Sequence, residues 1–111
     1  MSQKPAARLG DLGDKHGSYP PTPIIAGDSS VLVNGRPVAR QGDPLVPHAA
    51  PKKPPHPRAI AGGAGSVLIG GVPAARVGDP IDCGGTVKTG AGDVVIGDSP
   101  ALPGDAGAPM I

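Results

Sequence analysis

The side chains in this 111-residue chain best suited to bind a soft divalent metal are three histidines and one cysteine. Three of the four recur at matching places. His16 lies five residues after Asp11 and His48 five after Asp43, while Cys83 lies four after Asp79, and each of these aspartates follows a glycine (Gly10, Gly42, Gly78). If the repeats are arranged with threefold symmetry, equivalent places converge on one axis or ring it. His56 has no counterpart in the other repeats, but it lies eight residues beyond His48 in a proline-stiffened stretch that could fold back and supply a fourth ligand. Three imidazoles and a thiolate form a tetrahedral set suited to zinc, and a closed set of four is a structural site. Thiolate with imidazole argues against calcium or magnesium. The other reading is a buried thiol and three unrelated surface histidines; repeat equivalence favours the metal. The expectation is one structural zinc held by His16, His48, His56 and Cys83.

Repeated strands must position these ligands. Val67-Leu68-Ile69 and Val72-Pro73-Ala74 flank Gly70-Gly71, and the same pattern flanks Asn34-Gly35 with Val31-Leu32-Val33 before it. Asn-Gly and Gly-Gly between apolar runs signal a tight hairpin, because both central residues adopt positive φ. Val94-Val95-Ile96 opens a third, degenerate copy, the offsets from Val31 to Val67 and from Val67 to Val94 being 36 and 27 residues. Repeats of this length mark an array of like supersecondary units. The first copy lacks its opening strands and the last lacks a ligand, so joining the chain ends would complete three units. The pattern therefore predicts an all-β fold: a small conical, pseudo-threefold β-structure of repeated β-hairpins, stapled by metal at the apex. No segment shows a helical period, and glycine or proline interrupts every window of about ten residues, so almost no helix is expected. Arg8, Arg40 and Arg76 each stand three residues before a corner aspartate. They either protect strand edges as exposed charges or pair with Asp11, Asp43 and Asp79, the second being preferred.

Composition bounds the rest. The chain has no Phe or Trp and one Tyr, with 19 Gly and 16 Pro. So much Gly and Pro without a period would indicate disorder; the repeat decides against it. With few large apolar groups, burial alone gives little net stability, whereas a structural zinc contributes on the order of 10 kcal/mol of apparent binding free energy. A net charge of +1 with mixed signs gives no electrostatic case for nucleic acid. Residues 1–11 lack the apolar core of a signal peptide, and synthesis in the cytosol is expected. Ser66, Cys83 and His48 could be assembled into a catalytic set on paper, but no nucleophile elbow, phosphate loop or HExxH accompanies them. No catalytic residue is expected.

Pro5-Ala6-Ala7-Arg8 and Pro73-Ala74-Ala75-Arg76, with the variant Pro37-Val38-Ala39-Arg40 and the trace Pro100-Ala101-Leu102, resemble the motif that names the PAAR-repeat family. The resemblance runs from residue 5 to about 105 and implies a single domain over 1–111 without an effector extension. It implies a small β-cone that caps the trimeric VgrG spike of a bacterial type VI secretion system as a monomer, and zinc bound near the apex, which maps onto His16, His48, His56 and Cys83. The function implied is non-enzymatic: a tip that sharpens the spike for membrane puncture and effector delivery, cytoplasmic until loaded and then translocated into the target cell, touching its membrane only transiently. Two alternatives stand beside it. One is an effector-loading adaptor, docking a secreted effector on the loop 49–58 with Lys52, Lys53 and Arg58; the other is the tip of a phage-like tail spike.

Overall fold

A computed structural model describes residues 3–97; the last repeat beyond Gly97, including 100–105, and the tail 106–111 lie outside the described residues. Frequent prolines and glycines keep every strand short. The strands are β1 (Gln3–Pro5), β2 (Leu12–Gly13), β3 (Thr22–Pro23), β4 (Asp28–Val33), β5 (Arg36–Val38), β6 (Pro44–Ala50), β7 (Lys53–Ala59), β8 (Ala64–Ile69), β9 (Val72–Ala74) and β10 (Val95–Gly97). They pair antiparallel as β1–β10, β2–β3, β4–β5, β6–β7 and β8–β9. The described residues contain no helix.

Three of these ladders share a register. Leu32 faces Pro37 and Val33 faces Arg36; Leu68 faces Pro73 and Ile69 faces Val72; Val95 faces Pro5 and Ile96 faces Lys4. The third hairpin is split across the two ends of the chain: β10 supplies the strand that the first repeat lacks. The hairpin turns adopt the left-handed backbone expected of them, with φ of 54° and 78° at Asn34-Gly35 and 61° and 83° at Gly70-Gly71.

Where the repeats meet, main-chain hydrogen bonds run in closed cycles. The N–H of Ala7 donates to the carbonyl of Ala75 (3.0 Å), that of Ala39 to Ala7 (2.9 Å) and that of Ala75 to Ala39 (2.9 Å). A second cycle runs from Leu9 to Pro37, Gln41 to Pro73 and Val77 to Pro5, each at 2.9 Å. Three segments that donate in turn to one another surround a pseudo-threefold axis, so the expected all-β, pseudo-threefold architecture is present. Ala7, Ala39 and Ala75 are fully buried.

Apolar side chains gather in two clusters. One contains Ile24, Ile60 and Val87, which occupy equivalent places: their carbonyls accept from the corner residues Gly10, Gly42 and Gly78. The other is formed by the hairpins, with Val33 and Ile96 among its members, and Ile69 against it. Symmetry breaks in the first cluster. Bridges Ile24–Leu45, Ile60–Ile81 and Val87–Gly13 make Leu45, Ile81 and Gly13 equivalent. A Cβ on Gly13 would run into Leu45 Cδ2 and come within 2.6 Å of Ile81 Cδ1. The axis has room for two branched side chains at this level, not three.

The Gly-Asp corners are ion-paired, which settles the two readings of the arginine series. Asp11 Oδ2, Asp43 Oδ2 and Asp79 Oδ2 accept the main-chain N–H of Arg8, Arg40 and Arg76 at 2.8, 2.8 and 2.7 Å. The guanidinium groups close the same pairs, Arg8 Nε–Asp11 Oδ2 at 2.9 Å, Arg40 Nη2–Asp43 Oδ1 at 3.4 Å and Arg76 Nη2–Asp79 Oδ1 at 2.8 Å. Gly10, Gly42 and Gly78 have φ of 91°, 94° and 95°, the backbone turn that brings each carboxylate back onto its arginine. Burial pushes the Asp11 carboxyl up, but hydrogen bonds from the Arg8 guanidinium, the Thr89 hydroxyl and the Arg8 N–H, with the Arg8 charge, outweigh it and hold it below the usual carboxylate range.

Two outcomes are expected. Gly13→Ala overpacks the axis and destabilises by about 1–3 kcal/mol, whereas Gly92→Ala, which meets nothing within 4 Å, leaves the thermal midpoint unchanged; calorimetry checks both. Because the Asp11 pKa is depressed in the folded state, the unfolded chain binds more protons in the acid range, and the stabilisation is present above about pH 4 and lost as pH falls through the folded value. Asp11→Asn should therefore be less stable at neutral pH yet show a shallower stability loss between about pH 4.5 and 2.5, below the range in which histidines titrate.

Candidate metal centre

Proline shapes the element that carries two of the ligands. The stretch 49–58 reads as an extended excursion, and the structure turns it into the outer part of a seven-residue hairpin, β6–β7. Proline holds φ near extended values and cannot donate to a ladder. A two-stranded ribbon tolerates it, with register shifts between Leu45 and His48 and again between His48 and Ala50. The turn is made at Lys52, whose φ is 63°. This register sets His48 opposite His56.

The ligand atoms converge. His48 Nε2 and His56 Nε2 are 3.2 Å apart, and Cys83 Sγ lies 3.7 Å from His48 Nε2. One donor atom from each of the three residues falls within 4.8 Å of the others. His48 is 1% exposed; Cys83 is partly buried and packs against the Ile24 cluster. His48 Nδ1 donates to the Pro20 carbonyl at 2.9 Å and His56 Nδ1 to the Pro57 carbonyl at 3.2 Å. A carbonyl only accepts, so each Nδ1 carries the hydrogen, and in the neutral ring each Nε2 presents a lone pair. Such hydrogen bonds fix the ring orientation of metal-binding histidines. Burial, opposed by the Pro20 carbonyl and reinforced by the charge of Arg58, pushes the His48 pKa down, which keeps the imidazole neutral.

Two lone pairs facing each other at this distance repel unless a cation lies between them. Metal–nitrogen bonds of about 2.0–2.1 Å and a metal–sulfur bond of about 2.3 Å at tetrahedral angles give edges of about 3.3 Å between nitrogens and about 3.6 Å between nitrogen and sulfur. The observed 3.2 and 3.7 Å match two of the three edges, and the His56–Cys83 edge lies within 4.8 Å. The residues fit a small tetrahedral cation.

His16 lies outside this closest group. It follows β2 in a turn closed by reciprocal main-chain bonds with Tyr19, and it is exposed. Its ring centroid is 6.2 Å from that of His48 and 6.1 Å from that of His56. The place in the third repeat equivalent to His16 and His48 is Gly84, where a Cβ would meet His16 Nδ1 at 2.5 Å. With φ of 112° and no room for a Cβ at Gly84, the third repeat presents its ligand one residue earlier, at Cys83.

Two neighbours of the site were not singled out from the sequence. Tyr19 lies against the histidines, with centroids 4.7 Å from His48, 4.3 Å from His56 and 5.9 Å from His16, and its hydroxyl donates to the Pro54 carbonyl. Its signal was available: the sole aromatic of the chain, three residues after His16. Arg58 is 1% exposed, contrary to its reading as part of a docking surface. Its guanidinium is drawn inward by main-chain carbonyls, and no local spacing announces that.

A pseudo-threefold β protein, without helix among the described residues and with a His–His–Cys group able to hold a metal, is the class that fold and site define. The family model of the PAAR motif matches residues 1–45 and 12–89. The chain belongs to the PAAR-repeat family, the spike-tip family of type VI secretion systems and a structural, metal-binding one. A search of curated proteins returns no match.

Purified protein should bind a tetrahedral divalent cation, and a strong chelator should lower its thermal midpoint. His48→Ala should abolish most of that chelator-sensitive stabilisation. A midpoint indifferent to chelator would overturn the site.

Proposed function

We propose that this protein caps the trimeric VgrG spike as a single copy, with one structural zinc closing its other end. The observation that carries the reading is a triad of exposed apolar side chains at equivalent register positions: Leu32, Leu68 and Val95, exposed by 59, 57 and 48%. One chain with internal threefold repetition offers a trimer three like contacts about one axis. The hairpins bearing them also leave outer strand edges that another β-structure can extend.

The zinc would be held by His48, His56 and Cys83, with His16 swinging in as the fourth ligand; two neutral imidazoles with a thiolate favour zinc over harder ions. In this reading the protein does mechanical work without turnover: it closes and stiffens the point of a spike driven through a membrane. It resides in the cytoplasm until loaded and leaves with the spike, carrying or accompanying a secreted effector. Burial of Arg58 weakens the adaptor alternative, since one of the three cations assigned to a docking loop is inside.

Leu32→Asp with Leu68→Asp should weaken co-sedimentation with the VgrG trimer at least about tenfold, a loss of about 1.4 kcal/mol, while Lys52→Glu with Lys53→Glu leaves it intact. Undiminished binding by the first pair would remove this reading.

A further inference from the structure

A buried guanidinium usually has a carboxylate beside it, because a charge taken out of water costs several kcal/mol unless it is compensated. Arg58 has none among the described residues. It is 1% exposed, its Nε is buried without a partner, and its other nitrogens reach only neutral oxygens. Nη1 donates to Thr22 Oγ1 at 3.1 Å and to the Gly13 carbonyl at 3.4 Å; Nη2 donates to the Asp14 carbonyl at 2.7 Å and to the Gly84 carbonyl at 3.4 Å. Departures from the ordinary rules of burial concentrate at functional sites.

The two partners of Nη2, and Arg58 itself, lie on ligand-bearing segments. Asp14 precedes His16 by two residues, Gly84 follows Cys83 directly, and Arg58 itself follows His56 by two. The guanidinium packs beside Gly13, where a Cβ would sit at ordinary contact distance, 3.5 Å, from Arg58 Cζ. The Asp14 and Gly84 carbonyls lie outside the named strands and need donors, and a planar five-donor fork can serve several at once.

We infer that Arg58 is the positioning residue of the metal centre: its buried fork ties the segments carrying His16, His56 and Cys83 to one another and so sets the ligand geometry. The inference rests on the metal-site reading above. It concerns main-chain placement, and no ligand contacts the guanidinium.

The full-length protein is titrated with Co2+ alone, reading the visible d–d bands and the thiolate-to-cobalt charge-transfer band, with affinity taken from chelator competition. Arg58→Met should lower Co2+ affinity about 10–100-fold, the range for loss of a group supporting metal ligands, and alter the tetrahedral spectrum. Amide-exchange protection at Ala7, Ala39 and Ala75 should persist. Arg58→Lys should not rescue, because a point charge cannot fork across these carbonyls. Wild-type affinity and spectrum in either variant would overturn the inference. Should Arg58→Met fail to fold, Thr22→Val decides: it removes one acceptor of Nη1, and at least about a threefold loss of affinity is expected, with an unchanged value overturning the inference. Failure of the wild-type protein to bind Co2+ would instead remove the metal site itself, and the inference with it.

Discussion

The structure depends on a closed triangle of main-chain hydrogen bonds. Ala7, Ala39 and Ala75 donate to one another in turn, and three backbones can approach one axis this closely only where the side chains are methyl groups. Everything outside the triangle answers to it. Apolar residues that would form one core in another fold divide into two clusters, one joined to Cys83 and one formed by the hairpins. A chain without Phe or Trp can fold this way because its centre is backbone, satisfied by hydrogen bonds.

The corners transmit that closure to the periphery. A glycine in the left-handed region turns the chain, and the following aspartate folds back to take both the main-chain N–H and the guanidinium of the arginine three residues earlier. Buried ion pairs often fail to stabilise, because desolvation offsets their attraction. Here the carboxylates also satisfy main-chain donors that no ladder reaches, which makes them part of the backbone network.

Threefold repetition ends at the metal centre. A side chain at Gly84, the place equivalent to His16 and His48, would collide with the His16 ring. The chain resolves this with two glycines and an offset. Gly13 omits a side chain beside Leu45 and Ile81, Gly84 yields space to His16, and Cys83 steps one residue out of register. The space beside Gly13 is taken by Leu45 and Ile81, with Arg58 in contact behind them. Meanwhile the outside stays near-symmetric, with Leu32, Leu68 and Val95 alike in position and exposure. An asymmetric interior lies beneath a near-symmetric exterior, the arrangement that the proposed single ion and trimeric partner would require.

Local spacing and repetition determined the hairpins at Asn34-Gly35 and Gly70-Gly71, the glycine corners, the arginine–aspartate pairs and the completion of the first repeat by the last. Each of these depends on residues a few positions apart or on repetition, both visible in a string of letters. The proximity of His48, His56 and Cys83 was legible for the same reason. Tertiary structure decided what depends on distant neighbours. The proline-rich stretch became a hairpin because its ribbon edges need no donor. His16 lies outside the closest ligand group, in an exposed turn closed on Tyr19. Arg58, polar and set among prolines, read as surface, yet it is buried by carbonyls 26 to 45 residues away. Repetition says which places are alike; only packing around a shared axis decides which of the like places must differ.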